Sequence, residues 1–174
     1  MTHEMRRSDR AASTEAALDL LEKGEFGVLS TVGPEGEPYG CPLNYCLSED
    51  RTCLFFHGAA TGRKLENLRH DSRGHFTVVP SMEVVGDALT TVYSSVMVEG
   101  ELFELTEKAE KIAAAIRLAR RFGAPFDPTG YATAVDRAYV VFALRINAVS
   151  GKVRPALSRQ EIEEFARSKQ QMKG

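Results

Sequence analysis

Apolar residues recur along this chain in more than one rhythm, and each rhythm predicts an element. From Thr14 to about Lys23, Ala17, Leu18 and Leu21 fall at three- and four-residue spacing, the stripe of an amphipathic helix. Thr14 reads as its N-cap, Glu15 lies in its first turn and Gly24 as its stop. Phe26 to Val32 is apolar and β-branched, a strand, and Gly33-Pro34-Glu35-Gly36 is a turn. A second strand runs from about Glu37 to Leu47. Alternation places Cys41, Leu43, Tyr45 and Leu47 on one face and Gly40, Pro42, Asn44 and Cys46 on the other. Pro42 cannot donate to a ladder, so this strand bulges there or runs along an edge. Ser48 to Arg51 turns the chain into a buried strand, Cys53 to Phe56.

The second half alternates similarly. Arg73 to Val79 is a strand ended by Pro80, Ser81 to Ala88 a loop, and Leu89 to Leu105 one or two long strands. Thr106 starts a helix with Ala109, Ile112, Ala115, Ile116, Ala119 and Phe122 as its stripe, ended by Gly123 and Pro125. Phe126 to Arg137 is a connection, Tyr139 to Ile146 a final strand, and Ser150 to Pro155 a basic turn. Ser158 and Glu161 form a capping box that opens the last helix. Residues 1–12 read as a basic arm, with Arg6, Arg7 and Arg10 solvated or reaching a partner or ligand phosphate. The order predicts a single α+β domain over residues 1–174, an antiparallel sheet or barrel with peripheral helices and a C-terminal helix within 156–174.

Composition narrows the function. A net charge of -2 over 174 residues gives no reason to expect nucleic acid or an anionic membrane surface. No apolar run approaches the ~20 residues that span a bilayer, and the charged N-terminus does not resemble a signal peptide, so a cytoplasmic location is expected. Cys41, Cys46 and Cys53 match no zinc or redox spacing and read as free, small hydrophobes. There is no dinucleotide fingerprint, Walker loop or nucleophile elbow, and no zinc-protease spacing among His3, His57, His70 and His75. With no protein nucleophile in view, any catalysis falls to a cofactor.

One stretch carries chemistry. After Cys53 to Phe56 the chain continues His57-Gly58-Ala59-Ala60-Thr61-Gly62-Arg63-Lys64, and Leu65 and Leu68 then give one face of a short helix. Glycines at 58 and 62 permit a tight turn and a close backbone approach. Arg63 and Lys64 stand at a helix start, where unpaired N–H groups and the dipole favour an anion and where two cations alone are unfavourable. The pair suits a phosphate; it also suits two side chains reaching into water.

Phe56-His57, Gly62-Arg63-Lys64 and Asn67-Leu68, with Tyr93-x-Ser95-Val96-x-Val98-x-Gly100, resemble the pyridoxamine 5'-phosphate oxidase-like flavin-binding family, nearest to its 5-nitroimidazole-resistance (Nim) type. The Met5-Arg6-Arg7-x-Asp9-Arg10 start, the Pro42-Leu43-Asn44-Tyr45 strand and Ser150-Gly151-Lys152 add to the likeness, which spans most of the chain. The resemblance implies a mainly antiparallel six-stranded split β-barrel and a homodimer with FMN at the subunit interface. It implies that Gly62, Arg63 and Lys64 hold the FMN phosphate, that Pro42, Leu43 and Asn44 line the isoalloxazine edge, and that Phe56, His57 and Gly58 follow the ribityl chain and ring. Ser94, Ser95 and Val96 would contact the cofactor from the central strand. His57 matches a Nim-type histidine beside the cofactor; with an ordinary pKa it would give a hydrogen bond or proton to substrate, or else simply pack at a strand end.

The true oxidases carry Arg-Gln where Ser94-Ser95 stand, Tyr-Thr where His57-Gly58 stand, and a basic residue at Cys41, so pyridoxamine phosphate is not the implied substrate. The implied activity is electron transfer from NAD(P)H to a small acceptor such as a nitroaromatic or quinone-like compound. A haem- or deazaflavin-binding relative, or a non-catalytic flavin module, is the alternative.

Overall fold

Six long alternating runs each find an antiparallel neighbour, and this builds the sheet. The computed structural model describes residues 5–123, 130 and 139–171. In chain order the elements are β1 (Ala11–Ala12), α1 (Thr14–Lys23), β2 (Phe26–Val32), β3 (Pro38–Asn44), β4 (Cys46–Leu47), β5 (Cys53–Ala59), α2 (Arg63–His70), β6 (Arg73–Val85), β7 (Thr90–Glu104), α3 (Lys108–Arg121), β8 (Tyr139–Arg154) and α4 (Arg159–Gln171), with 3-10 turns at Ser8–Arg10 and Gly86–Ala88. The strand order is β3-β2-β6-β7-β8-β5-β4, with β1 added to β8. The first and last strands of that order are neighbours in sequence, separated by Tyr45 alone. One stretch of chain therefore pairs with β2 and then with β5, and the sheet closes on itself as a split barrel.

Alternation sorts the side chains into two cores. Inside the barrel Leu29, Phe56, Phe76, Val78, Val96, Val98, Phe142 and Leu144 are buried together with Ala17 and Leu21 of α1 and Leu65 and Leu68 of α2. Phe56 stacks on Phe142 at 5.2 Å and meets Phe76 edge-on at 5.1 Å. Each such buried side chain contributes about 1.5–3 kcal/mol relative to exposure. Outside the barrel, Ala114 and Ala115 of α3 cover Val141 and Leu105, with Phe55, Phe103, Ile112 and Ile116 around them. Phe55 and Phe56 thus serve opposite faces, as period-two alternation requires.

Several elements differ from expectation for identifiable reasons. Ser13, not Thr14, caps α1, accepting from Ala16 N at 3.2 Å. Gly24 follows α1 with an ordinary φ of -71°, so its glycine answers to space: a Cβ there would lie 2.5 Å from Val78 Cγ1 and 2.7 Å from the Tyr45 hydroxyl. β6 passes through Pro80, because the register shift between Val78 and Ser81 takes the proline out of the ladder. The expected loop 81–88 is consequently strand to Val85 and then a 3-10 turn. β8 continues to Arg154 instead of turning at Ser150, since β7 supplies partners as far as Tyr93↔Arg154. Residues 8–12 dock on the sheet through β1. α3 starts at Lys108 after Glu107, and its buried face centres on Ala114, Ala115, Leu118 and Ala119, leaving Ala109 and Phe122 exposed. The capping box holds: Ser158 N donates to Glu161 Oε2 at 2.7 Å and Glu161 N to Ser158 Oγ at 3.2 Å. The connection expected over 126–137 lies outside the described residues.

The cysteines are free thiols, Cys46 buried and the others half-buried; burial pushes the Cys46 thiol up to about 12. β7 and β8 change register between Glu99 and Gly100, and a Cβ on Gly100 would lie 1.9 Å from the Arg145 carbonyl oxygen. Gly100→Ala should therefore lower unfolding stability by about 1–3 kcal/mol in urea titration. Gly86→Ala, which meets nothing within 4 Å, should stay within about 0.5 kcal/mol of the parent. Equal effects of the two would contradict the packing described.

Candidate functional site

β5 leaves the barrel through His57, Gly58 and Ala59, paired with Val141, Val140 and Tyr139 of β8. Three residues later α2 begins. Gly62 stands at its N-cap with φ +114°, a conformation that side chains rarely adopt. Its carbonyl accepts from Leu65 N at 3.0 Å and Glu66 N at 3.2 Å, while no side chain caps the helix. The helix start is therefore an uncapped positive pole that carries two cations of its own.

Those cations are held in different ways. The Arg63 guanidinium lies 4.7 Å from the Tyr39 ring centroid, and its Nη2 is 3.6 Å from Glu37 Oε1. Its side chain remains 46% exposed, so a ligand can still reach the fork. Lys64 lies across Gly58: a Cβ at 58 would come 2.7 Å from Lys64 Cε and 3.0 Å from Nζ. Glycine at 58 thus makes room for the ammonium and brings it toward His57. His57 is half-buried, and its ring sits 6.2 Å from that of Tyr139, perpendicular to it. Burial first, and the Lys64 charge second, hold the His57 pKa below its ordinary 6.5. This corrects the expectation of an ordinary pKa: at neutral pH His57 is an uncharged imidazole, which can donate one N–H hydrogen bond and is poorly suited to act as a charged acid.

The structure thus gathers His57, Gly58, Gly62, Arg63 and Lys64. To them it adds Glu37, Tyr39 and Tyr139, which the sequence reading missed. No spacing rule joins Tyr39 to Arg63, because the two meet only when β3 lies beside the start of α2. Phe56 belongs to this stretch by backbone alone, since its side chain is fully buried in the barrel.

The other predicted residues form a separate band. Leu43 pairs with Gly27, Gly27 with Val78, Val78 with Val96 and Val96 with Gly151, one row across five strands. Pro42 and Asn44 flank Leu43 and are exposed, and Asn44 Nδ2 donates to the Glu25 carbonyl at 3.0 Å. Leu43 packs partly on the core, and Val96 is fully buried. Ser94 is buried with its hydroxyl 2.7 Å from that of Ser81, whereas Ser95 is half-buried and sits opposite Lys152. In the adjoining row Pro42 pairs with Val28, Val28 with Thr77 and Thr77 with Met97. The exposed apolar side chains of Phe26, Val28, Val79 and Met97 lie on these strands. Both groups involve β3, where Tyr39 touches Arg63 and Pro42 follows three residues on, roughly 10 Å away and on the opposite face of the strand.

A cavity of about 1220 Å³ lies elsewhere, between α3 and β4–β5, lined by Phe55, Phe103, Ile116 and Arg117 among others; no predicted site residue borders it. Among the described residues no cluster of three or more His, Cys, Asp or Glu side chains could hold a metal, and no helix is long and apolar enough to cross a membrane.

The family model described as pyridoxamine 5'-phosphate oxidase matches residues 13–153. No curated protein matches the chain. Among solved structures, the conserved hypothetical protein Rv2991 from Mycobacterium tuberculosis superimposes with a TM-score of 0.74 at 18% identity, covering 89% of this chain and 96% of that one. A candidate 5-nitroimidazole antibiotic resistance protein from Bacteroides thetaiotaomicron gives 0.67 at 17% identity, over 87% and 96%. The flavocytochrome Anf3 from Azotobacter vinelandii gives 0.68 at 21% identity, over 94% and 79%. At these identities the likeness is one of fold.

The His57 environment is directly measurable. Its NMR titration midpoint should fall below 6.5 and rise in Lys64→Ala, which removes the neighbouring cation but not the burial. With a folded pKa below the unfolded one, the unfolded chain takes the proton first. The contribution to stability is present above pH 6.5 and is lost as pH falls below it. A midpoint at or above 6.5 would contradict this environment.

Proposed function

Because the chain belongs to the pyridoxamine 5'-phosphate oxidase family, we propose that it binds FMN and passes electrons from a nicotinamide, NADH or NADPH, to a small acceptor of the nitroaromatic or quinone-like class. The observation that carries this reading is the start of α2, where an uncapped helix pole, Gly62 at φ +114°, Arg63 and Lys64 converge. An anion there removes the conflict between two cations and the dipole, and an FMN phosphate is such an anion. The fit is chemical as well as spatial. Arg63 presents a planar fork, Lys64 a point charge, and Gly58 leaves no side chain between Lys64 and the strand end.

Bound flavin supplies hydride and single-electron chemistry. The protein's own residues hold and shield it. Gly62, Arg63 and Lys64 anchor the phosphate. Backbone groups of Phe56 and Gly58 follow the middle of the cofactor, and Pro42, Leu43 and Asn44 with Ser94, Ser95 and Val96 border the ring. His57, uncharged at neutral pH, offers an N–H hydrogen bond to a reacting acceptor.

The molecule works as a homodimer in this reading. Phe26, Val28, Val79 and Met97 give a second copy an apolar surface beside Pro42 and Ser95. Pyridoxamine phosphate is not the substrate proposed, since Cys41, His57-Gly58 and Ser94-Ser95 replace the residues of the true oxidases.

The test is an absorbance spectrum after reconstitution with FMN and desalting, with Arg63→Ala/Lys64→Ala in parallel. The parent should retain flavin bands near full occupancy and the variant should lose most of them. No flavin in the parent, or equal retention in both, would overturn the proposal. A Soret band in the purified protein would move the assignment to haem.

A further inference from the structure

The docked N-terminal arm builds a second cationic cluster, away from α2. Ala11 pairs with Lys152 and Ala12 with Gly151. A Cβ at 151 would come 2.9 Å from the Cβ atoms of both Ala12 and Ala17, so glycine there lets the arm and α1 close on β8. This docking places Arg10, next to Ala11, and Lys152 of β8 close enough to the Tyr93 phenol of β7 for both cations to act on it. Arg7 lies within electrostatic range of the same phenol and is paired with Asp9 at 2.5 Å. Arg154 is the register partner of Tyr93 on β8, and Met82 is its partner on β6.

Charge is not balanced at this point. A phenol oxygen accepts hydrogen bonds but does not neutralise two cations. Asp9 is engaged in the fork of Arg7 and also lies within electrostatic range of Arg10, so this one carboxylate faces both arginines, and among the described residues no ion pair joins a carboxylate to Lys152. Arg10, Tyr93, Lys152 and Ser95 are all half-buried, so these groups are placed by the fold and do not simply extend into water. The two cations pull the Tyr93 pKa below its ordinary value although burial opposes them. Ser95, two residues from Tyr93, sits opposite Lys152 on the same band that borders the proposed flavin ring. The α2 anchor is distant along the sheet: Val140, opposite Gly58, precedes Lys152 by twelve residues of β8.

We propose that Arg10, Tyr93 and Lys152 form a receptor for an oxyanion, a carboxylate or phosphate, carried by the second substrate of the flavin site. An arginine fork, an ammonium and a hydroxyl are the donors such a group takes. The receptor rests on the flavin reading for what the anion delivers its substrate to, and on its own geometry for the anion itself. The enzyme then prefers anionic substrates over neutral ones of the same ring chemistry.

The test reads Tyr93 directly. The phenols of the full-length protein without added flavin are titrated by ultraviolet absorbance, in inorganic phosphate and in chloride of equal ionic strength. Tyr93→Phe identifies the Tyr93 step, which precedes those of Tyr39 and Tyr45, both raised. Phosphate should move that step up by about half a pH unit or more, because a bound anion offsets the two cations. In Arg10→Gln/Lys152→Met the step should already be raised and should not respond. Arg10→Lys, which keeps the charge, should keep the response and controls for folding. The titration is then repeated with FMN bound. A persisting response assigns the receptor to the second substrate, while a response abolished by FMN assigns the anion to the cofactor and overturns the proposal. No phosphate effect beyond chloride also overturns it. If FMN fails to bind, the flavin reading falls, and the phosphate response still decides the receptor.

Discussion

Closure of the sheet at Tyr45 is the constraint on which the other parts depend. β3 and β4 pair with opposite ends of one sheet, and a single residue joins them. That residue must turn the chain from one partner to the other while its own side chain is sealed inside. Tyr45 does this with its ring edge-on to Phe76 at 4.9 Å and its hydroxyl donating to the Leu21 carbonyl at 2.5 Å. Burial pushes its pKa far above the usual phenol range, so it stays a neutral donor. The same contact fixes the C-terminal end of α1, and Gly24 beside it has no room for a side chain. α1 in turn lies against Gly151 of β8, where the arm docks. The seam, α1 and the arm are therefore one packed unit, not three separate features.

The proposed sites are arranged around positions where side chains are missing. Gly58 admits Lys64, Gly62 admits the turn into α2, and Gly151 admits the arm. Gly58 lets the Lys64 ammonium approach the sheet, Gly62 supplies a backbone conformation that side chains disfavour, and Gly151 lets the arm that carries Arg10 close on β8. The result is two basic centres on a chain with net charge -2, one at the start of α2 and one around Tyr93. Between them runs a band of small and apolar residues. A flavin with an anionic tail and a substrate with an oxyanion fit such a pattern better than a nucleic acid, which would require a continuous basic surface.

Much of this was legible in the sequence, and the remainder was hidden for physical reasons. Apolar, β-branched runs located β2 and the start of β5, period-two alternation located β3, and Gly62-Arg63-Lys64 located the start of α2, because these signals are local. Pro80 was misleading: it ends a strand only where its missing N–H falls in the ladder, and a bulge removes it from the ladder. The extension of β8 past Ser150 was hidden because its partner, β7, lies more than fifty residues away in sequence. The face of α3 was displaced because alanines cannot mark which side is buried, and Ala114 took the place expected for Ala109. At the site, adjacency in sequence revealed His57, Gly58, Arg63 and Lys64. Tyr39, Glu37 and the Arg10–Tyr93–Lys152 group join distant segments, so only the fold could reveal them. The depressed His57 pKa was equally hidden, since it depends on burial and on Lys64 crossing Gly58.

The central claim is that the start of α2 holds a cofactor phosphate, and the most direct measurement compares FMN with riboflavin, which differs only in lacking that phosphate. Calorimetric titration of both into the protein should give FMN roughly 100-fold tighter binding, about 2.7 kcal/mol, in line with one or two charge-assisted hydrogen bonds to a partly exposed anion. Equal affinities for the two ligands would contradict the account, because a flavin would then bind without using Arg63 and Lys64.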